Sequence, residues 1–283
     1  MPVPALVTTD WLAEHLGESH VRFVDSRWSL LAPGKGRAAY EAAHVPGAAF
    51  LDVESDLASP RGQGPGRHPL PTSERFAEAM SRAGIGAETH VVAYDFGDGS
   101  IAARVWWLLR HFGHERVSLL DGGWARWSAE GRPTESGTFA IPRAAFEARA
   151  RSGDVVDADA VERLRREPGT LLIDSRMPER YEGRSEPIDP VAGHIPFAVN
   201  HPYPRNVGGA EDPRFLSSES LREEFAALGA DRAERVIAYC GSGINACQNL
   251  FALHVAGFPD GLLYEGSWSD WCSAPRDFEP TPT

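Results

Sequence analysis

The chain consists of two copies of one sequence pattern. VRFVDSR at 21–27 recurs as TLLIDSR at 170–176, and LLDGGWARW at 119–127 recurs as LYEGSWSDW at 263–271. The matching segments keep their order, with a numerical offset near 145 to 150. Because solenoid units are only about 20 to 50 residues long, this spacing indicates a duplicated domain.

Each copy alternates short apolar strands with helices. Runs rich in β-branched and aromatic residues, bounded by turn residues, predict strands at 21–27 and 90–95. The segment 73–85 predicts a helix with Ser73 as its N-cap. Strands and helices in alternation favour a mainly parallel sheet flanked by helices. The sequence therefore predicts an α/β fold with two tandem domains.

The domain limits follow from the place where the alternation stops. The stretch from about Gly131 to Asp154 lacks a clear strand and helix pattern and contains two prolines. We therefore predict a first domain over residues 1–136, a linker over 137–153 and a second domain over 154–283. The length of 283 residues suits two domains of ordinary size.

Composition and charge exclude several classes of protein. The formal net charge of -12 argues against nucleic acid as a partner, because phosphate binding needs a basic face. Three cysteines cannot form a disulfide framework, and no stretch is apolar enough to predict a membrane span or a membrane partner. No spacing of cysteine and histidine resembles a zinc site. We expect a cytoplasmic protein without a bound metal.

The duplication differs at one chemically important position. YCGSGINA places Cys240 between a predicted strand and a predicted helix, whereas Asp95 stands there in the first copy. Gly241 and Gly243 allow backbone N–H groups to converge on the sulfur, which stabilises a thiolate. The alternative interpretation of such a residue is an inert buried cysteine. We adopt that interpretation for Cys247 and Cys272, because they lack this setting.

The turn also discriminates between two kinds of cysteine chemistry. A cysteine phosphatase needs an arginine that closes the loop around the phosphoryl group, but Gly241 to Cys247 contain neither arginine nor lysine. Sulfur transfer needs only a thiolate that accepts a sulfur atom and N–H donors that hold the persulfide. The loop therefore favours sulfur transfer over phosphoryl transfer.

Three motifs together resemble a known family. YEAAHVPGAAFL at 40–51 resembles the first signature of the two-domain rhodanese-type sulfurtransferases, and EGSWSDW at 265–271 resembles their C-terminal signature. CGSGINA at 240–246 is more similar to the CGSGVTA loop of 3-mercaptopyruvate sulfurtransferases than to the CRKGVT loop of thiosulfate-specific rhodaneses. The resemblance covers essentially the whole chain and implies two rhodanese-like domains, of which the first is catalytically silent.

The resemblance also implies roles for individual residues. Cys240 would be the nucleophile, Ser242 and His68 would assist proton transfer, and Glu54 would be the acidic partner of His68. Arginines would hold the anionic end of the donor: Arg184 and Arg180 lie close to Glu182, where the family has arginine. The loop residues implied to hold the sulfur are Gly241, Gly243, Ile244, Asn245 and Ala246. His44 and His194 are interpreted as structural, satisfied by backbone hydrogen bonds.

The implied reaction needs no cofactor. Sulfur would pass from a small donor, 3-mercaptopyruvate, through a persulfide on Cys240 to a small thiol, a thioredoxin-like protein or cyanide. Two alternatives remain open: thiosulfate as the donor, and a non-catalytic tandem module that carries sulfur or binds partners.

Overall fold

The computed structural model describes residues 3–279, within which no helix is both long and apolar enough to cross a membrane. The chain divides into two compact units. The first unit comprises residues 3–59, 71–151 and 207–215, and the second comprises 60–70, 152–206 and 216–279. Each unit therefore includes one short segment from the other half of the sequence.

The first unit is built on a five-stranded parallel sheet with the strand order β1-β5-β4-β2-β3. Its strands are β1 (Leu6–Val7), β2 (Val21–Asp25), β3 (Ala49–Phe50), β4 (His90–Tyr94) and β5 (Val117–Leu120). Its helices are α1 (Thr9–Glu14), α2 (Lys35–Ala42), α3 (Ser73–Arg82), α4 (Ala102–His111) and α5 (Gly123–Ala129). Strand β4 is buried at all five positions, as expected for the interior of a parallel sheet covered on both faces.

Helix α3 shows how local sequence sets a boundary. Its N-cap is Thr72, whose side chain accepts a hydrogen bond from the N–H of Arg75. The prediction that Ser73 caps this helix was wrong, because two adjacent hydroxyl residues both satisfy the cap pattern and the chain uses the first. Phe76 and Met80 on the same helix are fully buried, so this face of α3 packs into the core.

The second unit repeats the topology. Its parallel sheet has the order β6-β10-β9-β7-β8. Its strands are β6 (Val155–Val156), β7 (Thr170–Asp174), β8 (Val199–Asn200), β9 (Arg235–Tyr239) and β10 (Leu262–Tyr264). Its helices are α6 (Ala158–Leu164), α7 (Pro178–Tyr181), α8 (Ser218–Ala227), α9 (Ala246–Val255) and α10 (Ser267–Trp271), with a 3₁₀ turn at Tyr203–Asn206. The predicted α/β architecture, with two mainly parallel sheets flanked by helices, is confirmed.

Aromatic side chains fill the core of the second unit on one side of the sheet. Tyr239, Tyr264, Trp268 and Trp271 are completely buried, and Trp268 and Trp271 each donate an indole hydrogen bond to a backbone carbonyl. Burying such large side chains contributes strongly to stability, and their N–H groups avoid the cost of being left unpaired. This core supports the turn after β9, where the candidate site lies.

The stretch predicted as a linker is ordered against the first unit up to residue 151. The Ala144 N–H donates to the carbonyl of Ser81, at 3.1 Å, and the Arg149 N–H donates to the carbonyl of Phe112, at 3.1 Å. The ring of Phe146 meets Phe76 edge-on. The domain limits at 136 and 154, and the linker between them, stay predictions; in the structure residues 137–151 lie within the first compact unit.

Candidate active site

Cys240 lies at the point where strand β9 ends and before helix α9 begins. The residue is 3% exposed. Its N–H donates to Ser267 Oγ, at 3.1 Å, and its carbonyl accepts from the Trp268 N–H, at 3.0 Å. The backbone around the sulfur is therefore held from the start of α10, which EGSWSDW encodes.

The glycines of the turn are required by its geometry. Gly243 has φ of 77°, and a Cβ atom there would lie 2.5 Å from the carbonyl oxygen of Glu265. No side chain fits at that distance, and the left-handed conformation is costly for other residues. At Gly241 an added Cβ would lie 3.2 Å from Arg67 Nη2 and 3.3 Å from Arg180 Nη1. Two guanidinium groups thus lie against the residue that follows the cysteine.

The remaining predicted loop residues form the start of α9. Ile244 is buried and its carbonyl accepts from the Cys247 N–H, at 3.1 Å, while Asn245 is the N-cap residue but makes no side-chain cap bond. Ala246, the first helical residue, is fully buried. Their part in holding a sulfur atom stays a prediction.

Ser242 and His68 are brought together as the sequence analysis expected. His68 Nδ1 and Ser242 Oγ are 2.7 Å apart, and both residues are buried. The segment that carries His68 belongs to the second unit, where Leu70 N–H also donates to Glu265 Oε2, at 3.1 Å. Their role in proton transfer remains a prediction that this hydrogen bond supports.

Glu54 lies in the first unit, where it is exposed and its N–H donates to Asp52 Oδ1, at 2.9 Å. Its assignment as the acidic partner of His68 therefore stays a prediction.

The two predicted arginines differ in setting. Arg180, at the end of α7, lies against Gly241 and pairs with Glu186 and Asp189, at 2.8 and 3.0 Å. Arg184 pairs with Glu182, and its side chain is 56% exposed. Of the two, Arg180 is the guanidinium that contacts the cysteine turn.

Two further charged residues at the turn escaped the sequence analysis. Arg67, next to His68, pairs with Asp189 at 2.5 Å, and both side chains are largely buried. The signal was present in RHPLP, where a basic residue adjoins the predicted histidine. Asp189 could not be recognised, since its partners lie 122 and nine residues away in sequence.

The other cysteines have structural surroundings. Cys247 is fully buried in α9, and its thiol donates to the carbonyl of Gly243, at 3.3 Å. Burial raises the pKa of Cys272 to about 11, and the nearby carboxylate of Asp189 adds to the effect. A thiol with so high a pKa is a poor nucleophile at neutral pH.

The first unit has an anion built into the equivalent turn. Asp95 is buried, and its two carboxylate oxygens accept four backbone N–H bonds of 2.8 to 3.1 Å from Gly97, Gly99, Ile101 and Ala102. Even so, burial and the charge of Asp98 outweigh these donors and raise the pKa of Asp95 to about 6. The turn fold thus provides converging N–H groups for a negative charge.

Each of the two signature histidines has a ring nitrogen within hydrogen-bond distance of a backbone carbonyl, as expected, and their structural role stays a prediction. His44 Nδ1 lies 2.7 Å from the carbonyl of Tyr40, and His194 Nδ1 lies 2.8 Å from the carbonyl of Tyr181. Between residues 3 and 279 no cluster of three or more histidine, cysteine or acidic side chains is arranged to hold a metal ion.

Comparison with known proteins identifies the family. The Rhodanese-like domain family matches residues 8–130 and 157–274. A Pseudomonas aeruginosa protein named "Probable 3-mercaptopyruvate sulfurtransferase" is 42% identical over 274 residues, 96% of each chain. Thiosulfate sulfurtransferase of Bos taurus is 37% identical, covering 94% of this chain and 91% of that protein. The crystal structure of SseA from Escherichia coli superposes with a TM-score of 0.81 at 33% identity, over 94% of this chain and all of SseA. The chain belongs to the two-domain rhodanese family of sulfurtransferases.

Proposed function

We propose that the protein transfers sulfur from 3-mercaptopyruvate to a thiol acceptor through a persulfide on Cys240. The observation that carries this proposal is the duplicated turn. In the first unit four N–H groups converge on a carboxylate, and in the second unit a cysteine occupies the same position. A turn that holds an anion suits a thiolate and then a persulfide anion.

The chemistry proceeds in two steps. The Cys240 thiolate attacks the sulfur of 3-mercaptopyruvate, a sulfur–sulfur bond forms, the carbon–sulfur bond breaks, and pyruvate leaves as its enolate. The enolate takes up a proton, which the Ser242 and His68 pair would supply or relay. A thiol acceptor then attacks the outer sulfur and regenerates the Cys240 thiolate. Small thiols, a thioredoxin-like protein or, in assay, cyanide would serve as acceptors.

Arg180 is the strongest candidate for holding the donor carboxylate. Its guanidinium lies against Gly241, next to the nucleophile, whereas Arg184 pairs with Glu182. We expect Arg180→Ala to raise KM for 3-mercaptopyruvate about 10- to 150-fold, the usual range for a lost charge-assisted pair. Arg184→Ala is the matched comparison: a larger rise in KM for Arg184→Ala than for Arg180→Ala would assign the role to Arg184.

The direct test is mass spectrometry after incubation with donor. A gain of about 32 Da on the peptide that contains Cys240, removed by a thiol reductant, is the expected persulfide. A chain that takes up no sulfur from 3-mercaptopyruvate or thiosulfate would be a binding module and not an enzyme. Location in the cytoplasm stays a prediction from the cysteine content.

Thiosulfate is the second candidate donor, because a relative named thiosulfate sulfurtransferase is 37% identical to this chain. Steady-state kcat/KM values for the two donors, with cyanide and with a small thiol, discriminate between them. A higher kcat/KM for thiosulfate would overturn the assignment of the donor and leave the persulfide chemistry intact.

A further inference from the structure

A single carboxylate joins the two guanidinium groups that lie against the cysteine turn. Asp189 Oδ1 accepts from Arg67 Nη1, at 2.5 Å, and Asp189 Oδ2 accepts from Arg180 Nη2, at 3.0 Å. The Asp189 side chain is 3% exposed. Both oxygens of Asp189 are thus occupied by the arginines that face Gly241.

Arg67 is fixed in place but not saturated. The backbone N–H of Arg67 donates to Ser269 Oγ, at 3.0 Å, and the neighbouring His68 is hydrogen-bonded to Ser242. Its Nε atom is buried and has no hydrogen-bond partner among residues 3–279. A buried guanidinium with an unused N–H is costly, and an anionic ligand would satisfy it.

The charged side chains near the turn form a network in which arginines and carboxylates alternate. Arg180 also pairs with Glu186 at 2.8 Å, and Glu186 in turn reaches Arg176 at 3.3 Å. Arg176 is bound to the buried Asp174 at 2.6 Å. The three arginines and three carboxylates of this network therefore sum to zero net charge. No excess positive charge remains to attract the second negative charge of a dianionic ligand. A dianion gains less here than beside two uncompensated cations.

We propose that Asp189 is an internal counter-ion in a donor site formed by Arg67 and Arg180, and that it sets the preference for a monoanionic over a dianionic donor. The inference rests on the proposed function, since it concerns the same cysteine. An incoming carboxylate or thiosulfate would bind the same two guanidinium groups that Asp189 already neutralises. The carboxylate of Asp189 competes with any anion, and its repulsion is larger for thiosulfate, which carries two charges.

Asp189→Asn tests this directly, because asparagine keeps the shape and one acceptor oxygen but removes the charge. We expect kcat/KM for thiosulfate to rise relative to that for 3-mercaptopyruvate by about tenfold or more. Asp159→Asn is the matched control, since it removes the same charge from an exposed pair with Arg276 on the second unit. That control is expected to leave the ratio of the two donors unchanged.

Arg67→Ala shifts the ratio in the opposite direction. It leaves Asp189 with one guanidinium partner, so the site becomes more negative and thiosulfate loses more kcat/KM than 3-mercaptopyruvate. Arg67→Lys keeps the charge and is expected to restore most of the ratio. If both Asp189→Asn and Arg67→Ala weaken both donors by one common factor, Asp189 merely holds the arginines in place and the inference is wrong.

A measurement without turnover separates this inference from the proposed function. Inorganic sulfate should protect Cys240 from alkylation by iodoacetamide, at concentrations about tenfold lower in Asp189→Asn than in the parent chain. Equal protection in the two chains would overturn the role of Asp189. Protection that shifts as expected, in a chain that takes no sulfur from 3-mercaptopyruvate, would refute only the proposed donor.

Discussion

The turn after β4, which holds Asp95, and the turn after β9, which holds Cys240, share a backbone arrangement but differ in the residue at their start. In both, a strand ends, a glycine adopts positive φ, at Gly99 and Gly243, and a helix begins. In both, the residue at the turn accepts a hydrogen bond from the tryptophan that follows two small residues, Trp124 or Trp268. The first turn encloses the carboxylate of Asp95, whereas the second carries Cys240, the proposed nucleophile.

The difference extends to the length of the turn. Six residues separate Asp95 from the helix start at Ala102, and five separate Cys240 from Ala246. The longer turn wraps fully around a carboxylate, with two N–H donors for each oxygen. A permanently occupied turn cannot accept sulfur, which explains in physical terms why the first unit would be silent.

The largest expected effect comes from exchanging the reactive atom. Cys240→Ser should lower kcat/KM by roughly a thousandfold or more, since the hydroxyl is not ionised at neutral pH and cannot form a persulfide. Asp95→Asn should retain most activity, and so should Cys247→Ser and Cys272→Ser. Donor kinetics together with mass mapping of the added sulfur provide the measurement. Substantial turnover by Cys240→Ser would contradict the assignment of Cys240 as the nucleophile, and with it the contrast between the two turns.

The second expected effect concerns the pH dependence of stability in the first unit. The pKa of Asp95 is raised to about 6, so the folded chain binds more protons than the unfolded chain between about pH 4 and 6. The contribution of Asp95 to stability is therefore fully present at the acidic end and falls as pH rises through this window. A shift of this size corresponds to about 3 kcal/mol.

Asparagine at position 95 removes the titration. The free energy of unfolding of the parent chain, measured with denaturant from pH 4 to 7, should fall relative to that of Asp95→Asn as pH rises, and then run parallel above the window. A difference between the two chains that stays constant from pH 4 to 6 would show that the four N–H donors stabilise the carboxylate enough to cancel its burial.

The sequence carried the local features of the site and missed those set by distant contacts. The glycine turn and its cysteine follow from a short motif, because backbone geometry is a local property. The pairing of His68 with Ser242 spans 174 positions and was expected only because the family resemblance implies it. The pair of Arg67 with Asp189 joins positions 122 apart, and no periodicity reports such a contact. The same holds for segments 60–70 and 207–215, which each fold with the unit encoded by the other half.

The first residue of a helix and the direction of a side chain are likewise set by contacts that the local sequence does not specify. Thr72 and Ser73 satisfy the capping pattern equally well, and only the geometry of the chain before α3 selects Thr72. Likewise, Arg180 and Arg184 both lie after β7 in a stretch of mixed charge. The short helix α7 directs Arg180 toward Glu186 and Gly241, a direction that a sequence pattern does not encode.

The smallest expected effect tests Ser267, the first residue of α10, which contacts the Cys240 turn and is held in a strained conformation. Ser267 has φ of 53° and is completely buried, and Gly123 stands at the equivalent place with φ of 52°. A left-handed serine costs roughly 1–2 kcal/mol, which the silent half avoids with glycine. What the serine adds is its hydroxyl, which accepts from the Cys240 N–H, at 3.1 Å, and donates to the carbonyl of Tyr264, at 2.9 Å.

Ser267 is therefore expected to be a positioning residue for the nucleophile. Ser267→Gly and Ser267→Ala both remove the hydroxyl, so both should lower kcat by about 2- to 10-fold with little change in KM. Only glycine relieves the strain, so Ser267→Gly should be more stable than Ser267→Ala by about 1 kcal/mol. If kcat instead followed stability, with Ser267→Gly as active as the parent chain, the hydroxyl would serve the fold and not the cysteine. Equal loss of kcat in two variants of unequal stability would show that the active half accepts backbone strain in order to hold its cysteine.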